Sequence, residues 1–115
     1  MNIIAKSENL TMAEMYRLTK SSDVAKLTTM KNQELEIARF IVHEDVNTAG
    51  EPITVAAFET EQGEFFATNS PTFTRDFLDI LTMCNEAGEP APHRIKVLPK
   101  MGKSGREYIQ CVYLG

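Results

Sequence analysis

Arg94, Lys96, Lys100, Lys103 and Arg106 put five cations within thirteen positions, and Tyr108 follows just beyond them. Fixed cations neutralise phosphates, and flat side chains give unpaired bases a face to stack on, so this segment carries the chemistry of a single-strand binder. Lys103-Ser104-Gly105-Arg106 has the composition of a loop tip, where glycine permits close approach to a ligand backbone. Phe65-Phe66 is a second aromatic site. Neighbours along a strand face opposite ways, so one ring belongs to a core and the other is a candidate stacking platform, unless a helix or a second subunit packs over it. Tyr108 and Tyr113 differ by an odd number, so only one of them is expected to be exposed.

The other reactive residues do not assemble into a catalyst. The chain has no G-x-x-x-x-G-K-[ST] loop, no G-x-G-x-x-G and no G-x-S-x-G. Cys84 and Cys111 stand 27 positions apart, so a zinc site would need ligands from elsewhere. His43-Glu44-Asp45 gathers three ligand types, but consecutive strand residues alternate in direction and cannot converge on one ion. His93 lies between Pro92 and Arg94 with no carboxylate partner close in sequence, and the many acidic residues form no recognisable acid/base pair. The expectation is a protein that is not an enzyme and uses neither cofactor nor metal.

Net charge is −4, yet the charge is divided unevenly along the 115 residues. Residues 1–31 hold five basic and three acidic groups, residues 32–92 two basic and twelve acidic, and residues 93–115 five basic and one acidic. Screening limits exposed charges to about 10 Å at moderate salt, so the local field of the last segment, rather than the net charge, decides what it meets.

Composition is that of a globular chain, with 43% apolar and 24% charged residues, a length suited to one core. The longest apolar runs, such as Phe40-Ile41-Val42, fall far short of the roughly 20 residues that span a bilayer. The opening Met1-Asn2-Ile3-Ile4-Ala5 lacks the basic start and long apolar stretch of an export signal. Reduced thiols and a cytoplasmic location are therefore expected.

These residues need a scaffold. Thr11-x-x-Glu14 is a capping-box pattern opening a short helix with Met12, Met15 and Leu18 on one stripe, and Ser22-Asp23 opens a second turn. Residues 1–31 thus read as an N-terminal helical segment packed on a body formed by residues 32–115. From Glu34 the pattern becomes that of strands: a long one ending near Val46, a second over Ile53–Glu59, and a third over Glu64–Thr68 after the Gln62-Gly63 reversal. Apolar residues on both faces of the first imply a bend. Ser70-Pro71 starts a helix whose Phe73, Phe77, Ile80, Leu81 and Cys84 share one face, and Gly88 and Pro90 end it. Two strands follow, separated by a loop from Pro99 to Gly105. The predicted class is mainly β: a five-stranded, OB-fold-like antiparallel barrel with a helix between strands three and four. A double-stranded-RNA-binding domain ranks second, since it leaves the last hairpin unaccounted for.

Phe66-Ala67-Thr68-Asn69-Ser70-Pro71-Thr72-Phe73 with Phe77, together with Lys103-Ser104-Gly105-Arg106-Glu107-Tyr108-Ile109, resembles the small single-stranded-DNA-binding proteins of tailed phages that infect Gram-positive bacteria. Tyr16-Arg17-Leu18-Thr19-Lys20 and Glu44-Asp45-Val46 extend the resemblance more loosely. It implies an OB fold, no cofactor, and protection of single strands during phage replication or recombination in the host cytoplasm. Tryptophan, the strongest stacking residue, is absent.

The expected partner is single-stranded DNA, with Arg94, Lys96, Lys100, Lys103 and Arg106 on phosphates and Phe65 or Phe66 and Tyr108 under the bases. The alternative is a protein–protein adaptor that works through the acidic middle and the N-terminal helical segment; an RNA-binding module shares the fold. The last strand, or the apolar face of residues 12–27, offers a second copy a place to pair.

Overall fold

The computed structural model describes all 115 residues. In chain order they form β1 (Asn2–Lys6), α1 (Met12–Thr19), β2 (Ala25–Lys26), a 3-10 turn (Leu27–Met30), β3 (Glu34–Val46), β4 (Pro52–Thr60), β5 (Phe65–Thr68), α2 (Pro71–Glu86), β6 (Arg94–Met101) and β7 (Glu107–Tyr113).

β3 is the organising strand. Leu35 and Ile37 point to the core; a bulge between Ile37 and Arg39 then resets the alternation, so Phe40 and Val42 point inward while Ile41 and His43 point out. This is how one strand carries buried residues on both faces. β4 pairs along one edge of β3, from Ile37↔Thr60 to Val46↔Pro52. The other edge is shared end to end by β6, at Glu34–Glu36, and β1, at Ile41–Glu44. β5 returns beside β4, β2 adds a short parallel pairing to β5, and β7 returns beside β6.

The sheet order is β2-β5-β4-β3-β6-β7, with β1 beside β3, and it curls into an open half-barrel around α2. Phe73 and Phe77 of α2 fill it. Phe77 meets Phe40 and Phe58 edge to face, with ring centroids 5.2 and 4.9 Å apart, and Phe58 meets Phe73 at 6.0 Å. Pro71 opens α2 where a missing N–H costs nothing. Ser70 holds the N-cap position without a side-chain capping bond: its backbone N–H donates to Thr68 Oγ1 at 3.1 Å, and its carbonyl accepts from Thr74 Oγ1 at 3.0 Å. Gly88, at φ +72°, ends the helix in the left-handed region.

Seven strands stand where five were expected. The two additional ones come from residues 1–31, which are only partly helical. β1, Asn-Ile-Ile-Ala-Lys, buries no alternate face, two-residue β2 is too short to show one, and both find their partners far away in sequence, so nothing local announced them. Leu27, the first residue of the 3-10 turn, is fully buried in the main core. Helix α1 forms where expected, with both arms of the capping box made between Thr11 and Glu14, but of its expected stripe only Met15 and Leu18 pack inward and Met12 is exposed. Its Leu18 packs on Ile41 and Ala57 across the outer face of the sheet. Arg39 ties it down by pairing with both Glu14 and Glu59.

The last hairpin is longer than expected. β6 runs through Pro99 to Met101, which faces Glu107. Gly102 N–H donates to the Arg106 carbonyl and Leu114 N–H to that of Arg94, so the even-numbered residues of β6 exchange bonds with β7. The Pro99 nitrogen therefore points away from β7, beyond the last bond to the β3 side at Val97, and no ladder bond is lost. No helix is long and apolar enough to cross a membrane.

Candidate functional site

Alternation along β6 sends Ile95 and Val97 into the core and leaves Arg94, Lys96, Leu98 and Lys100 on the outer face. On β7, Ile109 and Cys111 are core, and Tyr108, Gln110 and Val112 share the outer face. Register sets Lys100 directly opposite Tyr108, Leu98 opposite Gln110 and Lys96 opposite Val112. No helix covers this face: the hairpin packs on α2 through its inner residues. The chain reverses at residues 102–106, held by Gly102 N–H to Arg106 O at 2.8 Å and Gly105 N–H to Gly102 O at 3.0 Å. Gly105 has φ +79°, a conformation few other residues adopt, and Lys103 and Arg106 are exposed on either side. A Cβ on Gly102 would come within 3.7 Å of the Tyr108 ring, so the ring rests beside the turn, half-buried.

Neighbouring strands change the charge balance. Glu34 stands opposite Lys96 and Glu36 opposite Arg94, and Glu34 Oε1 lies 3.8 Å from Arg94 Nε. Of the two cations nearest the body, Arg94 is thus paired with Glu34, and Lys96 stands across from the same carboxylate without an ion pair. Lys100, Lys103 and Arg106 have no acidic partner within ion-pair distance. Lys31, at the end of the 3-10 turn, joins the far end of the hairpin by an ion pair with Glu107. Its position is fixed by Asn32, which takes φ +65° and donates its N–H to the Val97 carbonyl at 2.7 Å. Sequence reading missed Lys31 because it was assigned to the separate N-terminal segment; the net positive charge of residues 1–31 was the available signal.

The aromatic pair does not join this surface. Phe66 is 6% exposed within the main core, so it has no face to offer a base, which corrects its place among the stacking residues. Phe65 is the outward ring, but it is half-buried against the Leu18, Ile41 and Ala57 cluster beneath α1. Cross-strand register puts Glu59 and then Arg39 beside it, on the way to β6 and its Glu34 and Glu36 neighbours. Phe65 and the hairpin are separated by acidic strands. Of the tyrosines, Tyr108 is half-buried on the outer face, while Tyr113 is the more exposed, on the opposite side beside Met83.

Outside the hairpin, His43 and Asp45 share one strand face and Glu44 the other, where Asn2 donates to it. His43 is 4% exposed, and its Nδ1 has no hydrogen-bond partner; Asp45 Oδ2 is 3.9 Å away. Burial holds this imidazole below its ordinary value, and Lys20 and the N-terminal ammonium act in the same direction against the pull of Asp45. Burial likewise raises the Cys111 thiol above its ordinary range, so it is no nucleophile. A cleft of about 540 Å³ opens where β6 and β1 leave a break along β3, between His93, Lys6 and the end of α2. Its rim mixes Lys6 and His93 with Glu8 and Glu89, and it lies apart from the hairpin tip. Comparison with family models, curated proteins and solved structures returns no match.

Proposed function

We propose that this protein is a non-catalytic binder of single-stranded DNA that uses the outer face and tip of the β6–β7 hairpin. One observation carries the reading: in an otherwise acidic molecule, Lys100, Lys103 and Arg106 stand uncompensated around one turn, with Tyr108 opposite Lys100. Arg94 and Lys96 continue the row at lower effective charge, because Glu34 and Glu36 accompany them. Protection of single strands during phage replication or recombination fits such a binder.

We read the order from β3 to β7, three strands, a helix and two strands on an open half-barrel, as OB-like. OB folds take oligonucleotides on the face of their second and third strands and on the loops flanking it. Here that face belongs to β4 and β5, and α1 occupies it. Two loops remain exposed, that at residues 47–51, which carries Glu51 and no cation, and that between the last two strands, which is basic. The ligand is therefore assigned to the hairpin, with bases on Tyr108 and not on Phe66.

Anisotropy of a labelled oligothymidine tests this directly. Wild type should bind at low salt, and Tyr108→Ala should weaken binding by about 1–3 kcal/mol, the worth of one stacked base. Absence of binding at low salt contradicts the reading. Oligouridine in the same assay separates DNA from RNA preference.

A second reading, a protein–protein adaptor, is favoured by Met12 and Tyr16, which lie 73% and 58% exposed on the outward side of α1. A partner protein whose capture survives high salt and is lost in a Met12→Ser/Tyr16→Ser variant would favour it over DNA binding.

A further inference from the structure

The ion pair between Lys31 and Glu107 stands at the base of the proposed binding turn. Its two side chains are 40% and 42% exposed, and a pair this open adds little to stability. It does change the charge that the hairpin presents. Glu107 is the only acidic residue among residues 93–115. It directly follows Arg106, faces Met101 across the hairpin, and points its carboxylate at the one cation that the 3-10 turn brings to this end. By alternation Glu107 and Met101 stand on the side of the hairpin opposite Lys100 and Tyr108, so the pair sits behind the turn; without the carboxylate Lys31 would be a free cation there, and with it Lys31 is occupied.

We propose that Glu107 masks Lys31 and so limits how many phosphates the hairpin neutralises. The inference rests on the single-strand-binding reading and deepens it: the affinity for a polyanion is set below what the basic residues could supply, by a carboxylate built into the site. A strand held by Lys100, Lys103 and Arg106 that continues around the turn to its other side meets a neutral Lys31–Glu107 pair there, not a further cation. Removing the carboxylate while keeping its shape frees Lys31 to accept one more phosphate. Each phosphate neutralised on a single strand adds about −0.7 to the slope of log K against log salt.

The test is a salt series with labelled oligothymidine on wild type, Glu107→Gln, Lys31→Gln and the double variant. Glu107→Gln should steepen the slope by about 0.7, and at about 0.1 M monovalent salt it should tighten binding roughly five-fold. Lys31→Gln leaves Glu107 bare and should weaken binding, and the double variant should return close to the wild-type slope. A merely structural pair would lower the melting temperature in the single variants and leave the slope unchanged; that outcome overturns the proposal. So does a Glu107→Gln variant of wild-type circular dichroism that binds no more tightly than wild type. Glu107→Thr, which suits the start of a strand, carries the same expectation should the Gln variant fold poorly. Failure of wild type and every variant to bind at low salt would instead remove the single-strand reading itself, and this proposal with it.

Discussion

The backbone N–H of Cys111 donates to Asp76 Oδ2 at 3.3 Å, joining the free edge of β7 to helix α2. The even-numbered residues of β7 bond to β6, so Cys111 points its N–H outward along the open edge of the sheet. Exposed edges of this kind invite pairing with other chains, and a carboxylate on a packed helix closes part of this one. The sheet thus stops at β7 without reaching β5.

Asp76→Ala should lower stability by about 1–3 kcal/mol, because it leaves a part-buried backbone donor without its partner. Urea unfolding followed by circular dichroism measures this. An unchanged midpoint would mean that the edge is held by packing alone.

Acid should loosen the molecule before its carboxylates titrate. His43 is buried, and its folded-state value lies below the ordinary one near 6.5, so the unfolded chain binds the proton more readily. The contribution of His43 is therefore fully present above about pH 6.5 and is lost as pH falls through that range. Asp45 and Glu14 are held below ordinary carboxylate values mainly by backbone N–H donors, so their contributions disappear only at lower pH. Urea midpoints at pH 7.5 and pH 5.5 should differ in wild type and converge in His43→Leu; equal midpoints in wild type contradict the assignment.

Phe65→Ala should cost about 1–2 kcal/mol of stability through lost packing against Leu18 and Ile41, with little change in oligothymidine affinity. Phe77→Ala, which removes two edge-to-face contacts, should cost about 3–5 kcal/mol. A Phe65→Ala variant that folds normally and loses DNA affinity would restore Phe65 to the binding surface, with α1 moving aside.

Most of the frame was legible because it is local. The stripe of Phe73, Phe77 and Cys84 reports a helix, Pro71 and Gly88 mark its ends, and Thr11 with Glu14 marks the start of α1. The bend of β3 was readable from apolar residues on both its faces. What escaped was set by pairing between distant segments. β1 finds β3 about forty positions away, β2 finds β5 at a similar distance, and no short-range pattern encodes either. The same reason governs the candidate site. Counting charges along the chain correctly marked the last hairpin as basic, but only cross-strand register reveals that Glu34 and Glu36 accompany Arg94 and Lys96. It also reveals that Lys31 belongs to the hairpin and that Phe65 lies beneath α1.

The salt dependence of oligothymidine binding compares wild type with a Lys100→Ala/Lys103→Ala/Arg106→Ala variant most directly. Three phosphates neutralised at the hairpin tip give wild type a log K against log salt slope of about −2, and the variant should lose nearly all of it along with its low-salt affinity. A folded variant that binds with the wild-type slope, or a wild type that does not bind at low salt, would contradict the account.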